Sequence, residues 1–165
     1  MADINVIFGS TTGNTENAAN MIAVELGGKA VNITDAVKKD FDADILILGS
    51  STWGMGELQD DWIAGIDILS DVDLEGKVVA LFGEGDQTGF CDTYLDALGT
   101  IYEKVVELGA NVIGQWSTEG YEYNDSTAVL DSKFVGLALD DDNEPELTSE
   151  RIKKWCMQLK TEANL

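Results

Sequence analysis

Residues 4–15 read Ile4-Asn5-Val6-Ile7-Phe8-Gly9-Ser10-Thr11-Thr12-Gly13-Asn14-Thr15, and this stretch decides the fold. A short, β-branched, nearly continuous apolar run stops at a glycine. A hydroxyl-rich turn follows, and Ala19, Ile22, Ala23 and Leu26 then recur at helical spacing. Strand, tight loop and helix in that order open a parallel α/β unit, because a strand covered on both faces reads as continuous hydrophobicity.

The same alternation continues outward. Ala30–Ile33, Ile45–Leu48 and Lys77–Phe82 read as further strands, with Leu58, Trp62, Ile66 and Leu69 as a helical stripe after the third. Leu98, Ile101, Tyr102 and Val105 form another helix that ends near Gly109, and Asn111–Trp116 reads as the fifth strand. Phe134–Leu139 reads as a second piece of that edge strand. Between the pieces, Trp116–Ser132 is polar, aromatic and poor in helical period, so it is expected to be one long loop with a structural or partner-binding purpose. The last helix is expected after Thr148, whose hydroxyl caps a free amide, with Glu150 in its first turn and Ile152, Trp155, Cys156 and Leu159 as its buried stripe. Pro145, within the acidic stretch Asp140–Glu146, marks a turn.

Composition narrows the function. The chain has 165 residues, of which 44% are hydrophobic, which suits one domain over 1–165 with a full core. Its formal charge of −21, from 31 acids and 10 bases, repels nucleic acid and anionic lipid, so no nucleic-acid partner is expected and basic protein partners suit it better. The same acidity also serves plain solubility, and the two readings coexist. There is no charged leader ahead of an apolar run and no apolar stretch of roughly 20 residues, so no membrane insertion and a cytoplasmic location are expected. Cys91 and Cys156 lie 65 positions apart in helix-like surroundings and read as small buried hydrophobes. With no histidine and no clustered thiols, neither imidazole chemistry nor a metal centre is expected.

Ligands of doubly wound folds bind beyond the carboxyl ends of the strands, which directs attention to Gly9–Thr15, Ser50–Gln59 and Gly83–Tyr94. The first loop offers helix-start amides and hydroxyls to an anion. Asn14 follows Gly13 where a triphosphate loop needs lysine, and GxGxxG is absent, so a phosphate monoester fits better than a triphosphate or a dinucleotide. The rival reading of this loop is a capped turn that merely starts a helix. The second loop presents Trp53 between small residues, free to stack on a planar ring or, alternatively, folded back into the core. The third adds Phe90 in a Gly-rich, polar setting, and two aromatics can clasp one ring.

These loops contain GSTTGNTE from Gly9, STWGMGELQDDW from Ser51 and GEGDQTGFCD from Gly83, with WSTEGYEYNDS and KFVGLALDDDN later in the chain. On these strings, and over nearly all of Ile4–Leu159, the sequence resembles the flavodoxins, specifically their long-chain branch. The resemblance implies a flavodoxin-like three-layer sandwich around a five-stranded parallel sheet. Its strand order would be 2-1-3-4-5, with the last strand interrupted by an insertion at approximately 117–132. It further implies a monomer that binds FMN non-covalently. Such a protein is a low-potential one-electron carrier rather than an enzyme, and it exchanges electrons with flavoprotein reductases and electron-accepting redox proteins.

By the same resemblance, Ser10, Thr11, Thr12, Asn14 and Thr15 match phosphate binders, with Gly13 contributing backbone. Thr52, Trp53 and Gly54 match the loop against the inner part of the isoalloxazine, and the Gly54-Met55 peptide matches the place where the family turns a carbonyl toward flavin N5 on reduction. Phe90 matches the outer stacking position, which many relatives fill with Tyr, and Thr93 stands where Asn is common. Gly85 joins the cofactor-binding set as part of the Gly-rich backbone. Asp86 and Asp96 match positions near the pyrimidine and the ribityl chain. Glu84 departs from the family pattern, and a carboxylate there either opposes flavin reduction or turns to solvent, with solvent favoured because an ionised Glu is rarely buried without a partner. One carboxylate about 10 Å from the ring, at an effective dielectric of about 40, opposes an added electron by about 0.8 kcal/mol, or roughly 35 mV. An FMN-dependent quinone reductase is the enzymatic alternative. A phosphorylation-controlled receiver module is disfavoured because Phe8-Gly9 and Gly49-Ser50 occupy the places its acids need.

Overall fold

The computed structural model describes residues 2–53 and 55–165. The chain runs β1 (Ile4–Gly9), α1 (Asn14–Leu26), β2 (Lys29–Asn32), β3 (Ile45–Trp53), β4 (Glu57–Leu58), α2 (Asp60–Gly65), β5 (Val78–Glu84) and α3 (Asp96–Glu107). It continues with β6 (Asn111–Ile113), β7 (Trp116–Ser117), β8 (Val129–Leu130), β9 (Lys133–Phe134), β10 (Leu137–Leu139) and α4 (Thr148–Glu162). The parallel strands lie in the order β2, β1, β3, β5, and the edge beyond β5 is shared by β6, paired at Val78↔Asn111, and β10, paired at Leu137↔Phe82. Counted as parallel strands alone, this is the expected 2-1-3-4-5 order with its last strand in two pieces.

Alternation along the strands splits the core into two layers. Ile4, Val6 and Phe8 of β1 face α1 and α4, where they meet Ala19, Ile22, Trp155 and Leu159. Ile7, Leu46, Leu48 and Leu81 face the opposite side, against Trp62, Leu69, Leu98 and Ile101. Gly49 is required by this packing, since the Phe82 ring fills the space that a Cβ would occupy. Covering both faces holds the carboxyl ends of β1, β3 and β5 in register, with Phe8↔Gly49↔Phe82 side by side.

Several local expectations are corrected. The fifth strand ends at Ile113 rather than Trp116, because Gly114 takes a left-handed φ of 84° and turns the chain out of the sheet. Trp116 instead starts a separate antiparallel sheet, β7-β9-β8, which pins the two ends of the insertion, while 118–128 between them runs as the expected long loop. The run Phe134–Leu139 divides for the same reason, with Phe134 in the small sheet and only Leu137–Leu139 in the large one. Leu58 is not part of the helical stripe. It sits in β4, paired antiparallel with Thr52, while Trp62 lies in α2 and Ile66 and Leu69 in a 3₁₀ turn. Thr148 does not cap α4, since its hydroxyl donates to Asp141 Oδ1 at 2.7 Å. Cys156 is buried as expected, but Cys91 lies in a turn and is only half-buried, with its sulfur accepting from Asn124 Nδ2 at 3.4 Å.

The insertion is anchored by aromatics. Tyr94, Tyr121, Tyr123 and Phe134 form a cluster with centroid separations of 5.1–6.1 Å. Within it, the Tyr121 hydroxyl donates to the Ala138 carbonyl at 2.6 Å and accepts from Trp116 Nε1 at 2.9 Å. The Arg151 guanidinium lies 4.3 Å from the Tyr121 ring centroid.

Candidate functional site

The loop after β1 owes its shape to Gly13. Its φ of 98° is a left-handed conformation that a side chain would strain, and its N–H donates to Ser10 Oγ at 3.1 Å. Helix α1 then starts without a side-chain cap, and Asn17 is the first amide bonded back, to the Gly13 carbonyl at 3.0 Å. The preceding amides of α1, together with the exposed hydroxyls of Thr11 and Thr12, form a donor-rich helix start that suits an anion. No lysine or arginine belongs to this loop, so any anion held there keeps its charge.

A cleft of about 310 Å³ opens beside it, between the carboxyl ends of the strands. Thr12, Asn14 and Thr15 line one end, Ser51, Thr52 and Trp53 one wall, and Glu84, Gly85, Asp86, Phe90 and Asp142 the other. Trp53 is 39% exposed and Phe90 48% exposed, which places both rings at the surface of the cleft and rules out the alternative of Trp53 folded into the core. Trp53 Nε1 donates to Ser51 Oγ at 2.9 Å, so the indole is tethered while its face stays free. Two exposed aromatics at one cleft, next to an anion cradle, suit a flat ring carrying a phosphate.

Hydrogen bonds fix the walls of the cleft and the segments behind them. Thr52 Oγ1 accepts from Ala97 N–H at 3.1 Å, tying β3 to the start of α3. Thr93 gives its N–H to the Phe90 carbonyl, and Asp96 lies outside the cleft, where its Oδ1 accepts from Thr127 N–H at 2.8 Å and joins the insertion to the third loop. Asp86 holds that loop's turn by accepting from Thr88, Gly89 and Asn143. Burial alone would raise its carboxyl, but these donors outweigh it and hold it below the usual range. Thr11 lies next to Trp53 and Asp60 in an adjoining recess. Gly54 lies outside the described residues, and so does the peptide turn expected at Gly54-Met55.

Glu84 contradicts the expectation of a solvent-facing side chain, being only 4% exposed. Two further residues were not anticipated. Asp142 lines the cleft because the chain leaving β10 ends on the same side as β1, β3 and β5, which the strand-end rule applied to the last strand would have found. Burial, then the charges of Asp86, Asp140 and Asp141, raise its carboxyl above the usual range. Gln59, 1% exposed, bridges the first two loops, and nothing in its local sequence signals that long-range contact.

The fold is a doubly wound α/β sandwich with a cleft at the strand ends that suits a phosphate and a flat ring. The family profile described as Flavodoxin matches residues 6–155, and the chain belongs to the flavodoxin family. It is 49% identical over 165 residues to the flavodoxin of Picosynechococcus sp. (97% of each chain) and 45% identical over 170 residues to flavodoxin 1 of Escherichia coli (100% of this chain, 97% of that one). The crystal structure of Fusobacterium nucleatum flavodoxin bound to flavin mononucleotide superposes with a TM-score of 0.92, at 33% identity over 98% of this chain and 99% of that one. Its size is consistent with the long-chain branch.

Proposed function

We propose that this chain carries electrons one at a time, at low potential, between redox proteins through non-covalently bound FMN. Its family is one of FMN-binding electron carriers without substrate turnover of their own, and the chain is such a carrier. The observation that carries the finer reading is the charge of the cleft: among the described residues its walls hold Asp86 and Asp142 and no lysine or arginine. FMN supplies the redox centre when bound, and the protein selects which charge state is favoured.

In this reading Ser10, Thr11, Thr12, Asn14 and Thr15 hold the phosphate by hydroxyl and amide donors, with Gly13 setting the turn. Trp53 and Phe90 cover the two faces of the ring and exclude water from it. Thr52 and Gly54 support the inner wall, while Gly85, Asp86, Thr93 and Asp96 shape the outer loop. Because the phosphate charge is left uncancelled and acids stand nearby, adding negative charge to the ring is opposed. Partners would approach at the exposed Trp53 and Phe90, whose rings edge the cleft. Among the described residues no helix is long and apolar enough to cross a membrane.

Potentiometry of the FMN-loaded protein tests this. The final one-electron step is expected well below that of free FMN, and NADPH alone should not bleach the flavin rapidly. A final step at the potential of free FMN would overturn the low-potential reading.

A further inference from the structure

The turn that carries the outer aromatic is closed on itself. Asp86 and Phe90 both line the cleft, the Asp86 carbonyl accepts from Phe90 N–H at 3.0 Å, and Asp86 Oδ1 accepts from the N–H groups of Thr88 and Gly89. Thr88 and Phe90 are exposed, and Gln87 is the one buried side chain of residues 86–90, at 3% exposure. Gln87 does not line the cleft.

Its amide is engaged by two segments from elsewhere in the chain. Nε2 donates to Asp140 Oδ2 at 2.8 Å and to Glu144 Oε1 at 2.6 Å, both in the segment that joins β10 to α4, while Oε1 accepts from Glu122 N–H of the insertion at 2.6 Å. The Gln87 backbone N–H adds a bond to Asp140 Oδ2 at 3.2 Å. Both side-chain donors thus meet carboxylates and the acceptor meets an amide, an arrangement matched to a primary amide: an ionised Glu would face two carboxylates without a donor, and Leu would strand all three partners. The flank after Phe90 is held differently, by the Cys91 carbonyl accepting from the N–H groups of Asn124 and Asp125 at 2.7 and 3.0 Å. Those bonds are backbone to backbone, so replacing Gln87 frees one flank of the turn and leaves the other tied.

We propose that Gln87 is a positioning residue for the flavin, which holds the 86–90 turn in its binding conformation before FMN arrives and acts on the cofactor through Phe90. The inference rests on the flavin reading above. A turn already tied down loses less freedom when the ring docks, and a turn that visits other conformations weakens affinity by the fraction of molecules in the competent one. Trp53 stands on the opposite wall at the end of β3, whereas the bonds of Gln87 run to the insertion and to the segment after β10.

The test is a pair of double-mutant cycles on FMN dissociation constants, measured by fluorescence titration of the FMN-free protein. Gln87→Leu alone should bind FMN about tenfold more weakly, the size of one hydrogen bond. In a Phe90→Ala background the same substitution should weaken binding by less than about twofold, because no ring is left to place, whereas in a Trp53→Ala background the loss should again be about tenfold. A general loosening of the fold would act equally in both backgrounds. Equal losses in the two backgrounds, or unchanged affinity in Gln87→Leu, overturn the proposal while leaving FMN binding intact. A measurement on the wild type keeps the question decidable if Gln87→Leu does not fold. In the FMN-free protein the Gln87 side-chain amide protons should exchange with solvent at least about tenfold more slowly than those of a free glutamine. Exchange at the free rate would mean that the turn is not tied before flavin binds, which also overturns the proposal. Failure of the wild type itself to bind FMN overturns the flavin reading and the proposal with it.

Discussion

Gln59 Nε2 donates to Thr11 Oγ1 at 3.0 Å, joining the loop after β1 to the start of α2. The same side chain accepts from Asp61 N–H at 3.0 Å and so caps that helix. Replacing it with Leu strands the Asp61 amide and frees Thr11. Glu84 lies on the opposite wall and is not involved. Gln59→Leu is expected to lower apoprotein stability by about 1–2 kcal/mol and to weaken FMN binding several-fold. Urea unfolding and flavin titration measure the two effects, and a variant with both unchanged would show that the bridge does not organise the site.

Trp53 is tethered at Nε1 and exposed over its ring. Trp53→Ala should weaken FMN affinity by about tenfold or more and make the bound flavin easier to reduce, because stacking is lost and water reaches the ring. Titration combined with both one-electron midpoints checks this. Unchanged midpoints would mean that the indole does not shield the ring.

Burial and its acid neighbours raise the Glu84 carboxyl from about 4.5 to about 10, so between those pH values the folded chain holds a proton that the unfolded chain has released. Stability therefore falls with rising pH across that window, and the contribution is fully retained only below it. Between pH 5 and pH 8 the wild-type apoprotein should lose stability faster than Glu84→Gln, by up to about 1.4 kcal/mol per pH unit. Denaturant titrations at several pH values give the two slopes, and equal slopes would place a charged Glu84 in the folded state.

Much of this was legible in the sequence because it rests on local pattern. The strand–loop–helix opening at Ile4–Thr15, the buried stripe Ile152, Trp155, Cys156 and Leu159, and the exposed Trp53 each follow from spacing or from neighbours in the chain. The failures are long-range. Thr148 has an ideal capping type but finds Asp141 instead, and Leu58 keeps the helical period while pairing with Thr52 across a turn. Glu84 is buried although intrinsic cost favours solvent, because the end of a central strand packs it under the segment after β10, where it meets Asp141. Propensity describes a residue alone, and these three are placed by partners distant in the chain.

The acids Glu57, Asp60 and Asp67 are exposed, and Asp61 is partly committed to Gln59. If they steer a basic reductase, its rate of reducing this protein should fall steeply between about 0.01 M and about 1 M ionic strength, as the screening length shrinks from about 30 Å to about 3 Å. Stopped-flow kinetics with Asp67→Lys should show a weaker dependence. A rate indifferent to salt in the wild type would leave these acids as a merely solvated face.

In the proposed reading a cation-free anion cradle and two surface aromatics hold FMN. The direct measurement is chromatography of the flavin released when the purified, yellow protein is denatured without proteolysis. FMN is expected, free of any covalent link and close to one per chain. Released FAD, or a colourless protein that also fails to take up added FMN, would contradict it.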